Sequence, residues 1–466
     1  MPSVFGPEAL WTADEIAQAT GGKVAGDFAV TGVSIDTRSV EAGDLFVPLV
    51  GVRDGHDFVP QAVANGATGV LAAKVVDAPA VMVEDTFQAL EALGVAARER
   101  APQCKRGAVT GSVGKTSVTR AVEAGLRLAG KAHASVKSYN NHIGVPLTLA
   151  RMPRDTERAV FEIGMNHSGE IVPLSGFVQP HAVAITTVGP VHLENFADEE
   201  GVARAKAEIF AGLQPGGIAV LNADNKWFDL LKAEAEKAGA SVWSFGEAAG
   251  STARLTGFSV EGEGAVVSVE LRGEALSFPI RQTGVHWGPN SLCVLLMLEA
   301  LDVSRETALA ALAAFAPIEG RGAEKTVRID GGAFTLVDES YNANPVSMQA
   351  ALKTLGARKV AGRRVAVLTD MLELGEGSAA FHAELAGPID RANVDVVFLA
   401  GVHMKSLWEQ LPPTRRGGYA EVTEKLTAQL AGAIRPGDVV MVKGSNGSKA
   451  GVLAQALAAL DLGEQG

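Results

Sequence analysis

The chain has little of what defines several common classes of protein. Its 2 cysteines among 466 residues are too few for a disulfide framework or a cysteine-based metal cluster. No apolar run approaches the roughly 20 residues that a membrane-spanning helix needs. The acidic N-terminal segment also lacks the basic start and apolar core of a secretory signal. The net charge of −12 argues against a nucleic-acid partner. We therefore expect a cytoplasmic protein.

What the chain does have is length and apolar residues. A length of 466 residues predicts about three domains, and a hydrophobic content of 47% lets each domain bury a core. Short apolar strands alternate with helical stretches, which predicts the α/β class. We expect an α/β domain over 1–104, a central domain with a mostly parallel sheet over 105–318, and a Rossmann-like α/β domain over 319–466. The turn Gly320-Arg321-Gly322 marks the second boundary.

The most specific motif lies between a predicted strand ending at Thr110 and a predicted helix over 116–128. Small residues there let backbone N–H groups surround phosphate oxygens, while Lys115 can reach the β- and γ-phosphates and the Thr116 hydroxyl can bind Mg²⁺. The general pattern has a glycine where this chain has Val109. The predicted phosphate loop consists of Gly111, Ser112, Val113, Gly114, Lys115, Thr116 and Ser117. It indicates a protein that uses a nucleotide triphosphate.

Three other residues of the central domain are candidates for chemistry. Glu162 interrupts an apolar strand, where a buried carboxylate needs a cation such as Mg²⁺ or a structural ion pair, unless the acid lies at a frayed strand end. His192 follows a strand ending near Val188, at the edge where open α/β sheets place their sites, although a loop histidine is more often a plain surface residue. Lys206 lies on the apolar stripe of a predicted helix. Its ammonium group must therefore reach solvent, pair with an acid or lose its proton.

Three further segments, together with the phosphate loop, carry a resemblance to a known family. They are Asn140–Pro146, Tyr341–Pro345 and Asp370–Gly375. With them the chain resembles, over essentially its whole length, the ATP-dependent Mur ligases of peptidoglycan synthesis. The resemblance implies ligation of D-alanyl-D-alanine to UDP-N-acetylmuramoyl-tripeptide through an acyl phosphate. It also implies ATP and two Mg²⁺ ions as cofactors, and the shorter phosphate loop that has Val109 in place of glycine.

The resemblance assigns roles to individual residues of the central and C-terminal domains. Lys115 and Thr116 would hold phosphates and Mg²⁺, Glu162 and His192 would be further Mg²⁺ ligands, and Lys206 would be carbamylated at the metal site. Lys115, Glu162, His192 and Lys206 are thus the expected catalytic residues. Asn140 and Asn141 would lie near substrate and phosphates. The remaining expected ATP contacts are His286 and Asn290 at the adenine, and Arg321, Asp338 and Tyr341 closing over the nucleotide.

In the N-terminal domain the resemblance implies a UDP-sugar site. Its expected residues are Ser34, Asp36, Thr37, Arg38, Asp54 and His56, with Arg38 on the diphosphate and His56 as a donor to the nucleotide-sugar. Gly43-Asp44 is expected to be an ordinary turn. Two positions depart from the family pattern. Trp287 replaces an asparagine, so that base contact would rely on stacking or on Asn290, and Asn446 replaces an arginine.

Several alternatives remain open at this point. A related ligase could add a single amino acid to a muramoyl peptide, or glutamate to a folate. A phosphate-loop switch or motor would turn over nucleotide without a peptide substrate, and a scaffold without activity would only bind the precursor. Among these we favour the dipeptide ligase, with small-molecule substrates, no membrane span and a monomeric state.

Overall fold

The computed structural model describes residues 9–136, 139–191 and 194–463. Its main sheets have five, nine and six strands, in the order in which they follow along the chain. The predicted α/β class is confirmed. Each main sheet lies within one of the ranges 1–104, 105–318 and 319–466, which we keep as proposed domain boundaries. Among the described residues, no helix combines the length and the apolar character that a membrane crossing requires.

The N-terminal unit is a small α/β sandwich. Its strands are β1 (Trp11–Thr12), β2 (Lys23–Ala25), β3 (Ala29–Val30), β4 (Gly32–Ser34), β5 (Asp44–Phe46), β6 (Gly69–Ala72) and β7 (Ala80–Met82), and its helices are α1 (Ala13–Thr20), α2 (Val59–Ala64) and α3 (Thr86–Glu99). The main sheet has the order β2-β7-β6-β5-β4. The pair β2–β7 is antiparallel, and the others are parallel.

The central unit contains the largest sheet. Its strands are β8 (Lys105–Thr110), β9 (Ala132–Ala134), β10 (Arg158–Glu162), β11 (Ala182–Ile185), β12 (Ile218–Asn222), β13 (Ser241–Gly246), β14 (Ala253–Glu261), β15 (Gly264–Leu271) and β16 (Glu274–Ile280). Its helices are α4 (Lys115–Ala129), α5 (Gly144–Ala150), α6 (Ile171–Val178), α7 (Glu199–Ala207), α8 (Phe228–Lys237), α9 (Trp287–Ala300) and α10 (Arg305–Ala314). The order is β16-β15-β14-β13-β12-β11-β8-β10-β9. The part from β9 to β14 is parallel as predicted, whereas β14, β15 and β16 form an antiparallel extension.

Neighbouring residues of the central strands face two different hydrophobic cores. Val109 of β8 packs with α4 and α9 on one face, while Ala108 of the same strand and Phe161 of β10 pack with α5, α6 and α7 on the other. This follows because successive side chains of a strand point to opposite faces. Because β8 lies between β10 and β11 and is parallel to both, the carboxyl ends of the three strands meet at one edge of the sheet, where α4 begins.

The C-terminal unit is Rossmann-like. Its strands are β17 (Ala323–Ile329), β18 (Gly332–Glu339), β19 (Arg364–Thr369), β20 (Val396–Ala400), β21 (Arg416–Ala420) and β22 (Val439–Lys443), and its helices are α11 (Pro345–Ala357), α12 (Ser378–Ala383), α13 (Ala386–Arg391), α14 (Met404–Gln410), α15 (Thr423–Ala431) and α16 (Ala450–Ala458). The order is β17-β18-β22-β19-β20-β21. The pair β17–β18 is antiparallel, and the strands from β18 to β21 are parallel.

The N-terminal and central units share buried contacts. The indole N–H of Trp11 donates to the carbonyl oxygen of Ala150, at the end of α5, over 2.8 Å. The Arg100 guanidinium stacks 3.4 Å from the centre of the Trp11 ring and donates to the carbonyl oxygens of Leu10 and Met152. Ala150 and other residues of α5 belong to the same hydrophobic core as the N-terminal unit. These contacts fix the two units relative to each other.

The C-terminal unit contacts the central unit through polar side chains at Thr283. Arg358 of the C-terminal unit donates to the hydroxyl of Thr283 at 2.7 Å and to Glu324 Oε2 at 3.0 Å. Glu324 also accepts from Thr283. A small hydrogen-bonded cluster thus joins the two units at this place.

Candidate active site

The phosphate loop follows β8 directly, and its backbone is fixed from the neighbouring strand. Gly111 has φ +148°, and a Cβ added there would lie 1.9 Å from Thr186 Oγ1, so this approach requires glycine. The Thr186 hydroxyl donates to the carbonyl oxygen of Val113 at 2.5 Å, and Ser112 N donates to Thr187 O at 2.8 Å. These bonds leave the start of α4 open toward the cavity above it, as a phosphate site requires.

A cavity of about 390 Å³ lies over this loop, between the central and C-terminal units. Of the predicted nucleotide and substrate residues, those that line it are Ser112, Val113, Gly114, Lys115, Thr116, Ser117, Asn140, Glu162, His286, Asn290, Arg321 and Tyr341. Gly111, Asn141, Lys206 and Asp338 are not among its lining residues, and His192 lies outside the described residues. The structure thus brings together most of the nucleotide residues expected from the sequence.

Lys115 extends along the loop in this structure. Its Nζ donates to the carbonyl oxygen of Gly111 at 2.6 Å. Burial lowers the pKa of Lys115, an effect that Glu162 opposes and Arg321 reinforces. The lysine, the carboxylate and the guanidinium therefore lie within electrostatic range of one another in a desolvated site.

Glu162 ends β10 and is 1% exposed. Its Oε1 accepts from Asn140 Nδ2 at 2.7 Å, and its Oε2 is buried without a hydrogen-bond partner in the described chain. Among the residues that the structure describes, Glu162 forms no ion pair within 4 Å, although the charges of Lys115 and Arg321 act on it from a greater distance. A buried oxygen of this kind is costly until a donor or cation reaches it.

Lys206 is buried in α7, with 2% exposure. It does not reach solvent, and within the described ranges it forms no ion pair, so the third option from the sequence fits. Burial, together with the charge of Lys115, lowers the pKa of Lys206 well below its ordinary value. Burial therefore favours the neutral amine, and the nearby charge of Lys115 adds to the effect.

The C-terminal unit completes the cavity with charged side chains. The guanidinium carbon of Arg321 lies 4.1 Å from the centre of the Tyr341 ring. Lys443 is 3% exposed on its side chain, and its Nζ lies 3.3 Å from Glu339 Oε2 and 3.0 Å from Asn342 O. Burial lowers the pKa of His286, which faces this ion pair. The sequence had not assigned Glu339 to the site; it also missed Asn222, Thr186 and Thr187 among the lining residues.

Four residues singled out in the sequence lie outside the lining of this cavity. Asp338 accepts the N–H groups of Gly320 and Ser340 and so shapes the turn before Arg321, rather than lining the cavity. Asn141 Oδ1 accepts two N–H groups at the start of α5. Trp287 is 3% exposed and packs 5.7 Å from the ring of Phe315, so it belongs to the core and not to a stacking surface for a base. Asn446 is exposed, outside the residues that line the cavity.

A second pocket, of about 860 Å³, lies in the N-terminal unit. Asp36, Thr37 and Arg38 line it, together with Arg53 and Tyr139, which the sequence did not assign. Arg38 is committed to Asp36, with Nη2 and Oδ2 2.6 Å apart. No ion pair involves Arg53 in the part of the chain that is described. The pocket therefore has one cation engaged in an ion pair and a second cation that is not.

Other predicted residues of this unit have structural roles. His56 is buried, and its Nε2 accepts the N–H of Ala73 at 3.0 Å. The ring proton is therefore on Nδ1, which donates to Asp54 Oδ1 at 2.6 Å. Both ring nitrogens therefore have partners within the protein, and the contact of His56 with a nucleotide-sugar stays a prediction. Asp54 also pairs with Lys74, and the buried hydroxyl of Ser34 donates to Asp36 O. Asp44 begins β5 after Gly43 at φ +95°, the ordinary turn expected there.

Comparison with known proteins assigns this architecture to a family. Three family descriptions match successive parts of the chain: "Mur ligase family, catalytic domain" over 29–109, "Mur ligase middle domain" over 109–298, and "Mur ligase, glutamate ligase domain" over 325–446. The chain belongs to the Mur ligase family and is an ATP-dependent ligase. A phosphate-loop switch or motor is therefore the wrong alternative.

Individual proteins of this family resemble the chain over most of its length. A protein of Rickettsia prowazekii named UDP-N-acetylmuramoyl-tripeptide--D-alanyl-D-alanine ligase is 32% identical over 94% of this chain and 98% of its own length. The Escherichia coli protein of that name is 34% identical over 84% of this chain and 86% of its own. A crystal structure of MurF from Acinetobacter baumannii matches with a TM-score of 0.85 and 28% identity, covering 96% of this chain and 99% of the other. A MurF structure from Thermotoga maritima in complex with ADP matches in fold, with a TM-score of 0.77, 24% identity and coverage of 92% and 98%.

Proposed function

We propose that the chain ligates D-alanyl-D-alanine to UDP-N-acetylmuramoyl-tripeptide at the expense of ATP, releasing ADP and phosphate. The observation that carries the proposal is the cavity over the phosphate loop, where Lys115 and the buried Glu162 face Arg321 of the C-terminal unit. The relatives of that name, similar over most of the chain, support the dipeptide rather than a single amino acid or a folate. We also propose a cytoplasmic monomer.

The residues present fit Mg²⁺. Glu162 offers a buried carboxylate oxygen without a partner in the described chain, and the half-buried Thr116 offers a hydroxyl at the start of α4. The described residues contain no group of three His, Cys, Asp or Glu side chains placed to hold a metal. Mg²⁺ does not need one, because it is commonly bound by one or two protein groups together with phosphates and water. When bound, the metal would offset the negative charge of the phosphates.

The other metal-site assignments stay proposals that rest on family membership. We propose His192 as a further ligand, and Lys206 as a lysine that takes up CO₂ to become a carbamate. The burial of Lys206 supports this, because only the neutral amine adds CO₂. Two Mg²⁺ ions are the proposed complement.

The chain's own residues then account for the steps. The terminal carboxylate of the tripeptide attacks the γ-phosphate, ADP leaves, and the amine of D-alanyl-D-alanine displaces phosphate from the acyl phosphate. Lys115, the backbone N–H groups of the phosphate loop and the start of α4 stabilise charge on the transferring group. Arg321 adds a second cation from the C-terminal unit. Enclosure between the two units keeps water from the acyl phosphate.

The test is ADP release by the purified chain with UDP-N-acetylmuramoyl-tripeptide, with and without D-alanyl-D-alanine. Tripeptides ending in diaminopimelate and in lysine are assayed separately, and D-alanine replaces the dipeptide as a control. We expect turnover that requires the dipeptide and that is lost in Lys115→Ala. Turnover without any acceptor amine, or an equal rate with D-alanine, would contradict the proposal.

A further inference from the structure

The two oxygens of the Glu162 carboxylate have different surroundings. Oε1 accepts from Asn140 Nδ2 at 2.7 Å, whereas Oε2 is buried and has no hydrogen-bond partner among the described residues. Since an ionised carboxylate only accepts, the Asn140 amide must present its nitrogen, and its orientation is thereby fixed. The asymmetry leaves one oxygen of Glu162 available to a cation and one occupied by the protein.

Asn140 is itself held closely by the segment that follows β10. The main-chain carbonyl oxygen of Asn140 accepts the N–H of Gly164 at 2.8 Å. A Cβ added at Gly164 would lie 2.8 Å from Asn140 Cγ and 3.0 Å from Nδ2, so the amide fits against a bare backbone. On the other side, Glu162 N donates to the buried hydroxyl of Ser135 at 3.2 Å. Carboxylate and amide are therefore parts of one packed arrangement.

We propose that Asn140 is a positioning residue for metal binding: its amide holds Oε1 of Glu162, and this leaves Oε2 free to bind Mg²⁺. The role differs from the substrate contact that the sequence suggested for Asn140. It rests on the proposed Mg²⁺ site at Thr116 and Glu162. Partners of metal ligands that act in this way typically change metal affinity by about 10- to 100-fold when removed.

The experiment measures ADP binding to the full chain by calorimetry, in EDTA and with Mn²⁺ as the probe metal. For Asn140→Ala we expect the gain in ADP affinity caused by Mn²⁺ to fall by about 10- to 100-fold, with ADP affinity in EDTA changed by less than about twofold. Gly164→Ala should act in the same direction, because its Cβ displaces the amide. If Asn140→Ala does not fold, Asn140→Ser gives the same comparison with a smaller change.

Asn141 provides the matched control. Its Oδ1 accepts the N–H groups of Ile143 at 3.2 Å and Gly144 at 2.9 Å, at the start of α5. Asn141→Ala should lower the thermal midpoint, since it removes the acceptor of these two N–H groups at the start of α5. It should leave the Mn²⁺ dependence of ADP binding unchanged.

The outcomes separate this inference from the proposed function. Equal losses of ADP affinity in EDTA and in Mn²⁺ for Asn140→Ala would mean that Asn140 contacts the nucleotide directly, and the inference would be wrong. If Glu162→Gln removes the Mn²⁺ dependence while Asn140→Ala preserves it, the inference alone fails. If Glu162→Gln preserves the Mn²⁺ dependence as well, the proposed metal site fails with it.

Discussion

Replacing Gly111 by alanine tests whether the phosphate loop depends on its backbone conformation. At φ +148° a side chain is strained, at a cost of about 1–3 kcal/mol. The new Cβ would also lie 1.9 Å from Thr186 Oγ1. Displacing that hydroxyl breaks its bond to Val113 O, worth about 1 kcal/mol. If the free loop relaxes to avoid this total of about 2–4 kcal/mol, ADP must restore the binding conformation, and its affinity falls by up to roughly 30- to 900-fold.

The assay is calorimetric titration with ADP, alongside the thermal midpoint of the free protein. Gly239→Ala is the matched control, because Gly239 also has a positive φ, +79°, but a Cβ there meets no atom within 4 Å. It should lower stability and leave ADP affinity unchanged. If Gly111→Ala bound ADP within about threefold of the wild type, a difference below 1 kcal/mol, the loop would not need this backbone conformation and our reasoning would be refuted.

Three further predictions concern charge and protonation. By calorimetry, Arg53→Ala should weaken UDP binding by about 5- to 30-fold and leave the affinity for uridine, which has no phosphate, unchanged. Asp36→Asn should strengthen UDP binding, because it releases Arg38 from its ion pair. Burial lowers the pKa of His181 from 6.5 to about 4. The stability that the neutral ring provides is therefore complete above pH 6.5 and is lost as the pH falls toward 4. Between these pH values the free energy of unfolding, measured with urea, should fall by about 1–2 kcal/mol more in the wild type than in His181→Asn, after allowance for the partial exposure of the ring. For Lys206→Met in bicarbonate-free buffer, where the amine carries no carbamate, the thermal midpoint should stay the same or rise, and a lowered midpoint would contradict a buried amine without an ion-pair partner in the described chain. The ligation rate with bicarbonate present should fall on the order of 100-fold, because the proposed carbamate is lost.

The parts of the site that the sequence predicted are local. The phosphate loop, the strand before it and the helix after it follow from neighbouring residues, and the observed α4, Lys115–Ala129, is close to the predicted 116–128. Helical spacing placed Lys206 on the apolar stripe, but it left open whether the amine reaches solvent, and only the structure shows that it is buried. By contrast, Glu339 and Lys443 meet because β18 and β22 pair in register, although they are 104 residues apart in the chain. Such pairings leave no trace in a local pattern.

Contacts of other residues were missed for a similar reason. The bond from Ala73 N–H to the ring of His56 joins residues 17 positions apart, which no local pattern indicates. Of the two possibilities left open by Trp287, stacking on a base or contact through Asn290 alone, stacking does not fit, because the Trp287 side chain points into the core. The antiparallel strands β14 to β16 were not predicted, because their half-buried faces give weaker hydrophobic patterns than the apolar parallel strands.

The buried contacts of Trp11 and Arg100 hold the N-terminal and central units at a fixed distance from each other. Because the N-terminal and central units share a core through α5, the span between the N-terminal pocket and the phosphate loop is a fixed dimension of the chain. A substrate anchored at one end must bring its carboxylate to the other. We therefore expect the enzyme to select its acceptor by reach as well as by chemistry, rejecting shorter peptides whose carboxylate stops before the γ-phosphate.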